Sequence, residues 1–148
     1  MKYAYAALFQ NDEDWINVKF VDCPDWFTCG KNISEAIEYA VDMLNIRLYD
    51  LEREGKAAPP ATPIEQVKLK GDQLVRMIEV DTDQYAPIAE QLANNPIRYA
   101  REQTGMSIKE LADYLGAPYR TVQDWNAGLK RPPRWCEQLV FDKIMQAK

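Results

Sequence analysis

The chain has 148 residues, with 18 Lys or Arg against 23 Asp or Glu, a net charge of −5, three cysteines and no histidine. Without histidine it lacks the commonest general acid or base at neutral pH and every Ser-His or Cys-His nucleophile arrangement, and Cys23 with Cys29 alone cannot complete a four-ligand zinc sphere. No catalytic residue, metal or cofactor is therefore expected. The charge is unevenly spread: residues 1–90 carry nine Lys or Arg against 17 Asp or Glu, and residues 91–148 carry nine against six. An acidic front and a basic back suit a protein that offers one surface to a cationic partner and another to phosphate.

No stretch reaches the run of about 18 apolar residues that a membrane span requires. The opening MKYAYAALFQNDEDW reads as a strand broken by acids instead of a signal peptide. A cytoplasmic protein with no membrane partner and reduced thiols is expected, and the sparse, odd set Cys23, Cys29 and Cys136 agrees with that.

In chain order, Lys2 to Gln10 alternates Tyr3, Tyr5, Ala7 and Phe9, and Ile16 to Val21 alternates Ile16, Val18 and Phe20 against Asn17 and Lys19. These are two strands of a hairpin, with Asn11 to Asp14 as the turn. After Cys23-Pro24-Asp25, a short third strand is expected over Trp26 to Cys29, closed by Gly30. Asn32 followed three later by Glu35 opens a helix, and Ile33, Ala36, Ile37, Ala40, Val41, Leu44, Leu48 and Leu51 form its apolar stripe up to a stop near Gly55. Lys56 to Pro63 is a proline-rich loop, and Leu74 to Val80 reads as a further strand. The order predicts an α+β layer: an antiparallel sheet with one covering helix.

Asp81 to Leu92 reads either as a linker or as a short helix, so a boundary is placed with residues 1–85 as the first domain, 86–94 as linker and 95–148 as the second domain. Asn95 caps a helix over Ile97 to Thr104 with Pro96 in its first turn, and a last helix runs from Arg134 to about Gln146. Between them, MSIKELADYLGAPYRTVQDWNAG (106–128) reads as two short helices and a tight turn. Ile108, Leu111, Ala112 and Leu115 share one face, Ser107 is placed to cap, and Gly116 supplies the left-handed residue that ends the first helix. In the second, Val122 and Trp125 point inward, which turns Arg120, Gln123, Asp124 and Ala127 outward with Tyr119 and Thr121 beside them. That row is the candidate DNA-reading face of an all-helical helix-turn-helix domain. Arg120, its one cation, is a candidate for a bidentate guanine contact, or else is held on the helix by Asp124 four residues on. Lys130, Arg131 and Arg134, in and after a loop stiffened by Pro132 and Pro133, are placed to meet phosphates. With Ser107, these complete the candidate DNA-binding set.

Ala112, Gly116 and Val122 carry a resemblance to the phage-repressor and Cro-like helix-turn-helix family, which places a small residue, a glycine four later and a branched apolar residue six after that. Two positions depart from it. The family's phosphate-binding glutamine is Ile108 here, and its arginine–glutamate pair becomes Arg101 with Asn126, so a contact there is expected to be a hydrogen bond.

The first 85 residues resemble the N-terminal domain of HicB-type antitoxins. The matching signals are the opening strand Tyr3 to Phe9, the Pro24-Asp25 corner, Thr28 and Gly30, Glu35-Ala36 and Ala40, the Pro59-Pro60 loop and a strand ending in Val80-Asp81. The resemblance implies a partial RNase H-like fold that binds and blocks a small HicA-like ribonuclease toxin, while the C-terminal domain binds the pair's own promoter. Trp26-Phe27 stands where that family commonly has a smaller pair. Asp22, Asp25, Trp26 and Phe27 are the candidate toxin-binding residues.

An RNase H-like fold also raises a nuclease built on Asp22, Asp25 and Glu35, but a two-metal site needs carboxylates converging from several strands, and solvated turn or cap roles are favoured. Core packing is favoured for Trp15; Trp26 and Phe27, adjacent on one strand, point to opposite faces. The expected protein is a non-enzymatic antitoxin and autorepressor that binds double-stranded operator DNA as a homodimer or dimer of dimers. The alternative is a stand-alone transcriptional regulator whose front domain senses a small molecule.

Overall fold

A computed structural model describes all 148 residues. The fold is α+β: a four-stranded antiparallel sheet with one long helix inserted before its last strand, then a run of five helices. The chain divides into two compact units, Met1–Ala86 and Pro87–Lys148.

In the first unit, β1 (Lys2–Asp12), β2 (Trp15–Phe20), β3 (Phe27–Gly30) and β4 (Leu74–Asp81) take the order β3-β2-β1-β4. The first hairpin is tighter than expected. Asp12 pairs with Trp15, so β1 runs two residues past Gln10 and only Glu13 and Asp14 turn the chain. Glu13 adopts φ 53°, the left-handed conformation that two-residue hairpin loops demand.

Strand alternation sends Tyr5, Ala7, Phe9, Val18, Phe20, Ile78 and Val80 to one face, where they form the core with α1 (Ile33–Arg53). The seam of α1 is Ala36, Ala40, Leu44 and Leu48, four residues apart and without exposed surface; Ile33, expected in this stripe, is exposed. Asn32 caps the helix by accepting the Glu35 N–H at 3.0 Å, while the Glu35 carboxylate accepts the Lys31 N–H at 2.6 Å. The helix ends at Arg53, followed by Gly55 at φ 67°.

The loop after α1 holds a single 3-10 turn at Ile64–Gln66. α2 (Thr82–Asn94) begins directly after β4, and residues 86–94, expected as linker, lie within it. Thr82 is buried and donates to Glu52 at 2.9 Å, and the Tyr3 hydroxyl donates to the same oxygen at 2.7 Å. Pro87, which has no N–H for the carbonyl four residues back, stands where the two units divide.

The second unit holds α3 (Pro96–Thr104), α4 (Ile108–Leu115), α5 (Tyr119–Asn126) and α6 (Arg134–Met145). Their apolar faces meet at Ile97, Ala100, Leu111, Ala112, Val122 and Ile144. No helix of the chain is long and apolar enough to cross a membrane.

Candidate nucleic-acid interface and partner surface

α4 and α5 are joined by Gly116, Ala117 and Pro118, with Gly116 at φ 64° ending α4 and the Ala117 N–H bonded to the Ala112 carbonyl at 3.0 Å. Ser107 accepts the Glu110 N–H at 3.2 Å and donates its own N–H to the Glu110 carboxylate at 2.7 Å, a reciprocal capping box. Those bonds hold the Glu110 carboxyl below its usual range, the backbone N–H of Ser107 being the main cause. The Ser107 hydroxyl, a candidate DNA contact, thus accepts one N–H in starting α4 and keeps its own O–H as a donor.

Two side chains fix α5 against α3. Asn95 accepts the Arg98 N–H at 3.0 Å to cap α3, and its amide donates to the carbonyls of Trp125 and Asn126, both at 3.1 Å. One asparagine therefore serves the start of one helix and the orphan carbonyls at the end of another. Arg101 donates to Asn126 Oδ1 at 2.7 Å and to the Met106 carbonyl at 2.6 Å; the Arg101–Asn126 contact is a hydrogen bond.

Tyr119 and Arg120 are exposed in the first turn of α5, while Thr121 and Gln123 are half-buried. Asp124 departs from the expected outward row: it is 5% exposed. Helical stepping places it outward only for an isolated helix. Here the chain leaving α5 folds back, so that the N–H groups of Leu129 and Lys130 donate to the Asp124 carbonyl at 3.0 and 3.3 Å. The Asp124 carboxylate holds Arg120 Nε at 3.2 Å on one oxygen and Lys130 Nζ at 3.0 Å on the other.

The remaining cations separate into two kinds. Arg131 grips Glu137 with two donors at 2.8 Å each, and this pairing raises its pKa further while lowering that of Glu137. Its charge is largely met within the protein, which the sequence did not signal because Glu137 lies six residues on, past two prolines. Arg134 is exposed and donates no hydrogen bond to Glu137, though its charge also helps to hold that carboxyl low. Arg131, Pro132, Arg134 and Glu137 line a groove of about 420 Å³.

The candidate partner residues of the first unit do not form one surface. Asp22 is half-buried and accepts both the N–H and the hydroxyl of Thr62, at 2.9 and 2.5 Å. It staples the proline-rich loop, whose Pro59 carbonyl also accepts the Tyr5 hydroxyl. Asp25 is exposed in the corner before β3. Trp26, expected in the strand, precedes it and packs half-buried against the core, whereas Phe27 is 68% exposed. Phe27 heads a row across the sheet face away from α1, opposite Lys19, which pairs with Leu8, which pairs with Val75. Trp15, expected in the core, is 44% exposed, because the alternation that sends Ile16, Val18 and Phe20 toward α1 turns Trp15 to the opposite face; the Lys31 ammonium sits 5.8 Å from its ring centre. Asp22, Asp25 and Glu35 do not converge, and no group of three His, Cys, Asp or Glu side chains is placed to hold a metal ion.

No protein-family model matches the sequence, and no curated protein matches it. Among solved structures, the fold is similar to that of a chain from a toxin-antitoxin complex from Streptococcus pneumoniae, with a TM-score of 0.53 and 19% identity over 88% of this chain and 100% of that one. At that identity the likeness is one of fold.

Proposed function

We propose that this chain is the antitoxin of a toxin–antitoxin pair and represses its own promoter. The sheet unit binds and covers a small HicA-like ribonuclease, and the helical unit binds double-stranded operator DNA as a helix-turn-helix domain. The protein acts by binding alone, in the cytoplasm, with no catalytic step.

The observation that carries this reading is the likeness of fold to a chain from a toxin-antitoxin complex. It spans 88% of this chain, more than either compact unit holds by itself. The charge division supports it, since an acidic sheet unit suits a basic nuclease and a basic helical unit suits phosphate. Within the sheet unit the row headed by Phe27, whose Phe27 and Lys19 are exposed and whose Leu8 and Val75 are half-buried, is with Asp25 the surface assigned to the toxin; Asp22 supports it by holding the loop. A single domain of this size makes few phosphate contacts, so a homodimer or dimer of dimers on half-sites about one helical turn apart is the working assembly.

The test is capture of the full-length chain from its native host, with its partners identified by mass spectrometry. A short, basic, histidine-containing protein in stoichiometric amount is expected. Recovery of the chain with a bound small molecule and no protein partner overturns this function in favour of a stand-alone regulator.

A further inference from the structure

We infer that Asp124 is a positioning residue for DNA reading: a buried carboxylate, itself touching no base, that presents Arg120 to guanine and ties Lys130 to the same end of α5. The inference rests on the DNA-binding reading above and adds to it the residue that sets sequence preference.

A carboxylate buried to 5% exposure is costly unless both oxygens are met. Here one meets Arg120 Nε at 3.2 Å and the other Lys130 Nζ at 3.0 Å. The two cationic side chains remain 78% and 74% exposed, so the pairing immobilises them without covering them. The atom that Arg120 commits matters most. With Nε on Asp124, the two terminal amino groups of the guanidinium stay free, and together they can span guanine O6 and N7 end-on. An arginine already held in that pose loses less conformational freedom on binding. The Asp124 carbonyl also accepts the N–H groups of Leu129 and Lys130, so the same residue sets where the following loop, and Lys130 with it, leaves the helix. Two cations on one carboxylate leave the cluster with a net positive charge, which suits a phosphate-lined groove.

The test begins with a duplex enriched from a random library by the full-length chain, and a scrambled duplex of the same composition. Affinity for both is measured for the natural chain, Asp124→Asn, Arg120→Ala and the double variant. Asp124→Asn is expected to lower the ratio of selected to scrambled binding about tenfold, while binding to the scrambled duplex is kept or rises, because one negative charge is gone. In the Arg120→Ala background, Asp124→Asn is expected to leave the ratio unchanged. A further fall in that background means that Asp124 acts on the fold and overturns the inference.

Two measurements guard against misfolding of the Asn variant. Arg120→Lys, at an exposed site, keeps the charge but cannot offer both Nε and a terminal fork; it is expected to match Arg120→Ala, and a retained ratio overturns the inference. In the free protein the Arg120 Nε–H resonance is expected to be protected from exchange, and fast exchange there equally overturns it. If no sequence is enriched at all, the DNA-binding reading fails, whereas lost coupling with enrichment intact removes only the role of Asp124.

Discussion

Gly30 is where the sheet unit is least able to accept one more carbon. It ends β3 opposite Ile16 and lies under the first turn of α1. A Cβ at this position would sit 2.4 Å from Ala36 N, 2.7 Å from Ala36 Cα and 2.9 Å from Glu35 C, where ordinary contact begins at 3.4 Å. All three neighbours are backbone, so no side chain can rotate away, and α1 must shift by about 1 Å to restore contact distance. That shift opposes the Asn32 cap and the seam of Ala36, Ala40, Leu44 and Leu48 together. Overpacking of this kind costs about 1 to 3 kcal/mol, and a rigid helix places it near the top of the range. The stiffer unfolded chain offsets about 0.4 to 1 kcal/mol. Gly30→Ala is therefore expected to destabilise the sheet unit by about 2 kcal/mol, lowering its unfolding temperature by roughly 10 °C. Amide exchange during urea titration measures this, with Leu44 and Ile78 reporting on the sheet unit and Leu111 and Val122 on the helical one. A loss below about 1 kcal/mol, or an equal loss in both units, refutes the argument.

Asp22→Ala leaves the Thr62 N–H and hydroxyl without their acceptor and is expected to cost about 1.5 to 3 kcal/mol and to speed exchange of the Thr62 amide; unchanged exchange there rules out the staple. Burial, and then the charge of Asp22, pushes the Cys23 thiol up to about 11, while Cys29 is exposed. An alkylating reagent at neutral pH should thus label Cys29 and spare Cys23 in the native chain, and equal labelling contradicts the burial. Burial followed by the hydrogen bond to Glu52 raises Tyr3 to about 12 from an ordinary 10, so its contribution to stability is complete below pH 10 and is lost as pH rises toward 12. Tyr3→Phe should remove the last part of the tyrosinate absorbance titration, and a superimposable curve near pH 12 negates the assignment. In DNA binding, Arg134→Ala should lower the salt slope by about 0.9 and Arg131→Ala by less, because Glu137 already answers its charge; equal slopes speak against the pairing.

Features governed by short-range geometry are legible in the amino-acid order alone. The strand alternation of Tyr5, Ala7 and Phe9, the four-residue spacing of Ala36, Ala40, Leu44 and Leu48, the caps Asn32, Asn95 and Ser107, and the breaks at Gly55 and Gly116 each depend on residues within a turn or two of one another. Tertiary structure decided the role of every side chain whose partner is distant in the chain. The partner that occupies Asp22, Thr62, lies 40 residues away where no local pattern reveals it; the exposure of Trp15, by contrast, follows from the alternation of Ile16, Val18 and Phe20, which turns it to the other face of the sheet. Asp124 gives the clearest case. Its helical phase turns it outward, but burial depends on what packs over a position as well as on its phase. The chain that leaves α5 returns to donate two N–H groups to its carbonyl, and a presumed reading residue becomes the buried anchor of Arg120 and Lys130.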